Sequence, residues 1–185
     1  MKIAPDEKPQ PAILVEKITS FKGTDLSDLC DATESTISDD SLSFSMGLGK
    51  IDHQMRDHLE SYWKGVLLVP ERQLIIGRLD GVVASSIQLV KPSPNNKSIA
   101  FAGWIENHFV APWARGYGLA KELLKSAEAA AKSSNLSLVK LSVRSNLKNA
   151  IRLYESSGYK RWGILDKYEK VENEYLSGYF YCKDL

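Results

Sequence analysis

Cysteine is scarce in this chain: there are two, Cys30 and Cys182, too far apart to have metal-ligand spacing. Neither a dense disulfide framework nor a cysteine-rich zinc site is indicated, and both residues read as thiols in a reducing compartment. An excess of charge of one sign is also lacking, since 24 Lys and Arg against 23 Asp and Glu leave a net charge of +1. That balance argues against wrapping nucleic acid and against a polybasic membrane surface. No apolar run approaches the ~20 residues needed to cross a bilayer. The opening stretch MKIAPDEKPQPAILVE carries no apolar leader core,. These absences predict a soluble, cytoplasmic protein with no nucleic-acid or membrane partner and no metal. Internal repeats and low-complexity segments are missing too, and 185 residues leave room for one domain with a sizeable core,. Residues 1–11, with three prolines among charges, read as a flexible tail, and 12–185 as a single domain,.

What is present centres on residues 104–134, WIENHFVAPWARGYGLAKELLKSAEAAAKSS. An apolar strand-like run ends at Val110, a short turn follows, and Gly116 to Ala120 open a helix. Leu119, Leu123, Leu124, Ala127, Ala130 and Ala131 recur at helical spacing, with Lys and Glu on the other side,. Asn135 suits a left-handed residue just past its end. The first turn of a helix has unpartnered N–H groups and the positive end of the dipole, so the junction can hold an anion such as a pyrophosphate. Gly116 and Gly118 allow close approach of phosphate and positive φ. A tight turn before a packing helix explains the same residues. Neither GxxxxGK(S/T) nor the third glycine of the dinucleotide fingerprint is present,.

Around this centre, Ala12–Ile18 reads as a strand, and a helix starts at Thr24 or Asp25 and weakens by Ser38,. His53–Lys64 reads as a second helix. Val66–Val69, Gln73–Leu79 and Val82–Val90 read as strands, the last two joined by a turn containing Asp80-Gly81,. Ser98–Val110 leads into the glycine turn. Leu136–Val143 reads as a central strand, Asn146–Ser157 as a helix ended by Gly158, and Tyr159–Leu185 as two further strands. Strand, helix, strand in succession implies parallel pairing through a right-handed crossover.

The spelling RGYGLA resembles the acyl-CoA loop of the GNAT superfamily of N-acetyltransferases, Q/R-x-x-G-x-G/A, with Arg115, Gly118 and Ala120 in the specified places. IRLYESSGY resembles that family's second signature, A-x-x-LYE-x-x-GF. The element order also matches, so the resemblance spans nearly the whole chain. It implies an α/β fold with a mixed, mostly antiparallel central sheet, one splayed parallel pair and flanking helices.

The resemblance implies transfer of the acetyl group of acetyl-CoA to a primary amine, either a small molecule or a peptide, by a monomer or a homodimer. Arg115 and the N–H groups of Gly116, Tyr117, Gly118, Leu119 and Ala120 would meet the pyrophosphate. His108, Phe109 and Val110, on a bulged and splayed strand, would pair with the pantetheine arm. Tyr154 falls where the family carries the tyrosine beside the CoA sulfur, and a phenol with a reference pKa of about 10 can protonate the departing thiolate. Histone-type members carry a glutamate where this chain has Trp104. Glu106, on the same face by period two, is the nearest carboxylate and the working choice of base through a water chain. His108, placed on that face by the same period, has an unperturbed pKa that would suit a base. A solvated strand residue describes either equally. Many members have an asparagine at the place of Leu147, and the adjacent Asn146 is the substitute here.

On the acceptor side, Phe44, Met46 and Leu48 alternate through a polar, glycine-bearing connection. Phe44 and Met46 are the candidate acceptor contacts, and a loop folded on its own core is the competing reading. A non-catalytic acyl-CoA-binding module is the rival to the enzyme.

Overall fold

The computed structural model describes residues 10–39, 44, 46, 54–171 and 173–185. Seven strands among them form one sheet: β1 (Ile13–Ile18), β2 (Arg72–Leu79), β3 (Val82–Val90), β4 (Ala102–Val110), β5 (Leu138–Arg144), β6 (Lys160–Val171) and β7 (Glu174–Asp184). Their spatial order is β1-β2-β3-β4-β5-β7-β6. Every neighbouring pair is antiparallel except β4 and β5, which are parallel. This is the mixed, mostly antiparallel sheet expected from the sequence.

Among the described residues four α-helices cover it: α1 (Asp25–Asp39), α2 (Met55–Leu68), α3 (Leu119–Ser133) and α4 (Lys148–Ser156). Strand alternation divides the core between the two faces. Leu74, Ile76, Val83 and Phe109 pack with Leu29, Ile37, Leu59 and Trp63 of α1 and α2. Ile75, Ile87, Leu89 and Ile105 pack on the other face with Leu123, Leu124 and Ala127 of α3 and with Ile151 and Tyr154 of α4.

Helix ends are set where the sequence places them. Asn135 stands at φ 57°. Leu136 N–H donates to Ala131 C=O and Asn135 N–H to Lys132 C=O, a Schellman closure of α3,. Gly158, at φ 89°, closes α4 the same way through Tyr159 N–H to Tyr154 C=O and Gly158 N–H to Glu155 C=O.

One expected element is corrected. Val66–Val69, read as a strand, forms the last turn and cap of α2, because Val66 lies on the buried face begun by Met55, Leu59 and Trp63. Burial of that helical face overrides the strand-like look of four successive apolar residues, two of them valines,. Cys30 is buried, Cys182 is half-buried, and both are free thiols. Most of the expected tail, residue Leu48 and the expected start of α2 at His53 lie outside the described residues. Among the described residues no helix is long and apolar enough to cross a membrane.

Candidate active site

β4 ends at Val110, a 3₁₀ turn spans Pro112–Ala114, and Arg115 leads into two glycines in the left-handed region, Gly116 at φ 89° and Gly118 at φ 88°. A β-carbon added at either glycine would meet no atom within 4 Å, so positive φ, not crowding, calls for glycine there,. Gly118 is the N-cap of α3, and no side chain caps it. The helical ladder begins with Lys121 and Glu122 N–H donating to Gly118 C=O, which leaves the amides of Leu119 and Ala120 ahead of it,. The turn therefore faces open space with amide donors and the positive end of a fifteen-residue helix,. Such a cradle fits a pyrophosphate. Beside it, the Arg115 guanidinium pairs with Asp39 at 2.7 Å and its Nε donates to Val110 C=O at 3.3 Å. Both partners are exposed, and an ion pair of this kind is worth at most about 1 kcal/mol, which a phosphate can readily outbid.

β4 and β5 share only the rungs Ala102–Leu138, Gly103–Val139 and Trp104–Lys140. Lys140 lays its ammonium over the Trp104 ring at 5.1 Å where the pairing stops. Beyond that point the strands part around a cleft of roughly 1150 Å³. β4 is also bulged. Its register with β3 passes from Gln88–Glu106 to Ser86–Phe109, so Ile87 alone stands opposite Asn107 and His108,. Asn107 takes φ 47° at the bulge.

The extra residue reverses the alternation of everything after it. Glu106 and Asn107 reach toward α2, whereas His108 reaches toward α3 and α4. The period-two expectation that Glu106 and His108 share a face is thus corrected. His108 Nε2 lies 3.0 Å from Ala120 C=O and Nδ1 lies 3.0 Å from the Tyr154 hydroxyl. A carbonyl only accepts, so Nε2 carries the hydrogen, and Nδ1 is left to accept the Tyr154 O–H. Burial lowers the His108 pKa to about 4, against the smaller opposing effect of Ala120 C=O, and the imidazole is neutral at physiological pH,. Burial raises the Tyr154 phenol well above its ordinary range, so it is fully protonated. Its ring is fixed by Tyr159 at 5.9 Å and Tyr181 at 6.4 Å.

Toward α2 a polar chain runs from Glu106 to Arg72 at 2.8 Å, from Arg72 to Gln88 Oε1 at 2.7 Å, and from Gln88 Nε2 to the Tyr62 hydroxyl at 3.0 Å. Asn107 Nδ2 donates to the same hydroxyl. Gln88 is wholly buried. Because Arg72 fixes which end of its amide accepts, the chain has a defined direction as far as Tyr62.

The Acetyltransferase (GNAT) family model matches residues 38–159. The chain belongs to the GNAT acetyltransferase family. It is 47% identical over 132 residues to an uncharacterized N-acetyltransferase from the hisH-hisA intergenic region of Azospirillum brasilense, covering 71% of this chain and 76% of that protein. Two solved structures share the fold of this GNAT enzyme at low identity. YncA of Salmonella typhimurium, solved with its cofactor acetyl-CoA, superposes with a TM-score of 0.70 at 15% identity, covering 94% of each chain. RimL, a ribosomal L7/L12 alpha-N-protein acetyltransferase in complex with coenzyme A, gives 0.75 at 11% identity, covering 92% of this chain and 94% of that one.

In this GNAT enzyme the cleft brings together nearly every nominated residue: Phe44, Met46, Glu106, His108, Phe109, Val110, Arg115, Gly116, Gly118, Leu119, Ala120, Asn146 and Tyr154. Tyr117 is the exception, its side chain half exposed and outside the cleft lining. Phe44 packs its ring on Phe109 at 4.8 Å and is also part of the cleft wall.

Sequence reasoning missed Tyr62, Arg144, Tyr168 and Glu169, which line the cleft as well. The register of β6 on β7 jumps from Leu165–Gly178 to Glu169–Leu176. Tyr168 folds over Gly178, where an added β-carbon would stand 2.2 Å from its ring, and its hydroxyl meets Ser142 Oγ at 2.7 Å. Glu169 pairs with the buried Arg144, Nε to Oε2, at 2.7 Å. The one signal was Gly178 amid aromatics, a place where another side chain needs room. Among the described residues no cluster of His, Cys, Asp and Glu is arranged to hold a metal.

Proposed function

We propose that the chain moves the acetyl group of acetyl-CoA to a primary amine by direct attack, with both substrates bound at once. The amides of Gly116 to Ala120, with Arg115 released from Asp39, hold the donor pyrophosphate. The main chain of β4 beyond Trp104, which among the described residues has no strand beside it toward β5, receives the pantetheine arm as an added strand,. Asn146 lines the same cleft.

In the chemical step the amine nitrogen bonds to the thioester carbonyl carbon and the carbon–sulfur bond breaks with its electron pair on sulfur. Tyr154 gives its hydroxyl proton to that thiolate. The amine proton leaves through water to Glu106. The observation that carries this reading is a protonated, buried phenol standing in the same cleft as a glycine turn whose amides open the helix. His108 is not the base: its one lone pair is occupied by Tyr154 and its desolvated ring stays neutral. Glu106 is the better choice because it lines the cleft, is half exposed and is held in place by its ion pair with Arg72.

The amine enters between Phe44, Met46 and Tyr62 on one side and Tyr168 and Glu169 on the other. The acceptor is a primary amine, whether a small molecule or a peptide terminus of the sort RimL's name describes; Glu106 and Glu169, which face it, are already paired with Arg72 and Arg144. Soluble, cytoplasmic residence of a single domain over residues 12–185 accords with this chemistry.

The test is release of free thiol from acetyl-CoA with and without a panel of amines. Wild type is expected to release thiol only with an acceptor. Tyr154→Phe should lower kcat by roughly 10² to 10⁴ with the acetyl-CoA KM nearly unchanged. An unaltered kcat removes Tyr154 from the mechanism, and acetyl-CoA binding with no thiol release for any amine makes the chain a binding module.

A further inference from the structure

The His108 side chain has no part in the chemistry above, yet both of its ring nitrogens are committed. One hydrogen bond ends on the first turn of α3, the turn proposed to hold the donor phosphates, and the other on the phenol proposed to protonate the sulfur. Three separate elements, β4, α3 and α4, meet in that ring. The bulge at Asn107 is what brings it there, since regular alternation would have turned residue 108 toward α2,.

We infer that His108 is a positioning residue for acetyl transfer: it ties the Tyr154 hydroxyl to Ala120, keeping the general acid in register with the turn that holds the donor. The tautomer gives the tie its direction. With hydrogen on Nε2 and a lone pair on Nδ1, the ring can only hold Tyr154 as a donor. In the resting cleft the phenol hydrogen thus points at His108 and its oxygen lone pairs point elsewhere. When the thiolate forms, rotation about the C–O bond carries the hydrogen from Nδ1 to sulfur, so His108 sets the position of the phenol up to that step and the packing of its ring on Tyr159 and Tyr181 holds it through the transfer. No proton passes to His108, whose neutrality across the working pH range makes it an anchor and not a relay.

The inference rests on Tyr154 being the general acid, so the experiment is a double-mutant cycle that reports on both ideas. His108→Gln keeps an amide able to donate to Ala120 but carries the acceptor away from the Nδ1 position. His108→Asn keeps an acceptor close to Tyr154. His108→Gln is expected to lower kcat roughly tenfold, the effect of one lost hydrogen bond, with the acetyl-CoA KM within about twofold. His108→Asn should recover most of that loss. In a Tyr154→Phe background, His108→Gln should change kcat by less than about twofold, since residues acting as one unit are not additive. The kcat profile from pH 5.5 to 8 should have the same shape in wild type and His108→Gln.

If Tyr154→Phe leaves kcat unchanged, the general-acid reading fails first. If Tyr154→Phe lowers kcat but His108→Gln lowers it equally in both backgrounds, or not at all, Tyr154 keeps its role and His108 loses its own. Melting curves on all of these proteins separate these outcomes from unfolding, and His108→Leu, which keeps neither hydrogen bond, takes the place of His108→Gln in both backgrounds should His108→Gln fail to fold.

Discussion

Asn107 stands at φ 47°, a conformation that asparagine tolerates and that β-branched residues avoid. Its amide bonds to Tyr62, and the residues on either side of it point to opposite faces of the sheet. Counting by twos along Trp104, Glu106 and His108 therefore works for the first two and fails for the third. The residue types were legible in the sequence, and the glycine turn and Tyr154 could be named from it. Their partners could not: the resemblance implied a bulged strand but not the position of the extra residue, and one inserted residue in a strand leaves no mark on composition. Phe44 shows a related gap: alternation suggested a side chain presented to a ligand, yet its ring lies on Phe109 with the cleft beyond. Phe44→Ala is expected to remove about 2 kcal/mol, less than the ~3 to 5 of a fully buried phenylalanine because Phe44 is only partly buried,, or roughly 4 to 8 °C of melting temperature. The acceptor KM should rise while the acetyl-CoA KM holds. An unchanged melting temperature would show that Phe44 is not a packing residue at all.

Among the elements, α1 is tied to the sheet at its first residue. Asp25 is buried and accepts from Lys22 N–H at 3.0 Å and from Arg78 at 2.8 Å, and Arg78 also reaches Glu16 of β1. The Arg78 hydrogen bond is the main reason the Asp25 carboxyl sits below its ordinary value. A lowered folded pKa adds stability at every pH above the unfolded value of about 4. That contribution disappears as pH falls through the folded value. Asp25→Asn should cost about 3 kcal/mol at neutral pH, as for a broken buried pair. It should also flatten the fall in melting temperature that wild type shows on acidification below about pH 4. Parallel acid limbs for the two proteins would refute this assignment. A cap at Thr24 or Asp25 could be read from the chain, but its partner Arg78, in a strand far along the sequence, could not. The same holds for α2, whose last turn looks extended by residue preference and is helical because Val66 completes a buried face. Tyr168 and Glu169 reach the cleft through a register jump that alternating aromatics could not announce.

At the scale of the whole molecule the order of elements was legible, because a strand, a helix and a strand in succession leave few topologies open. The splay of the parallel pair was expected from the family resemblance and not from the residues themselves, since nothing in Ile105 to Val110 says that β5 stops following β4 after Trp104. That short ladder makes the sheet two plates, β1 to β4 and β5 with β7 and β6, sharing three rungs. In terms of hydrogen exchange, the β4 amides past Trp104 that face β5 lie along an open seam. They should exchange by small local openings, well below the free energy that guards the β2–β3 ladder. A donor that lies in the seam supplies the missing rungs. Adding CoA should therefore slow exchange in residues 105–110 and in the first turn of α3 while leaving β2 and β3 unchanged, as followed by mass spectrometry. Uniform slowing would mean global stabilisation alone, whereas slowing confined to the seam would mark the bound molecule as the strand that joins the two plates.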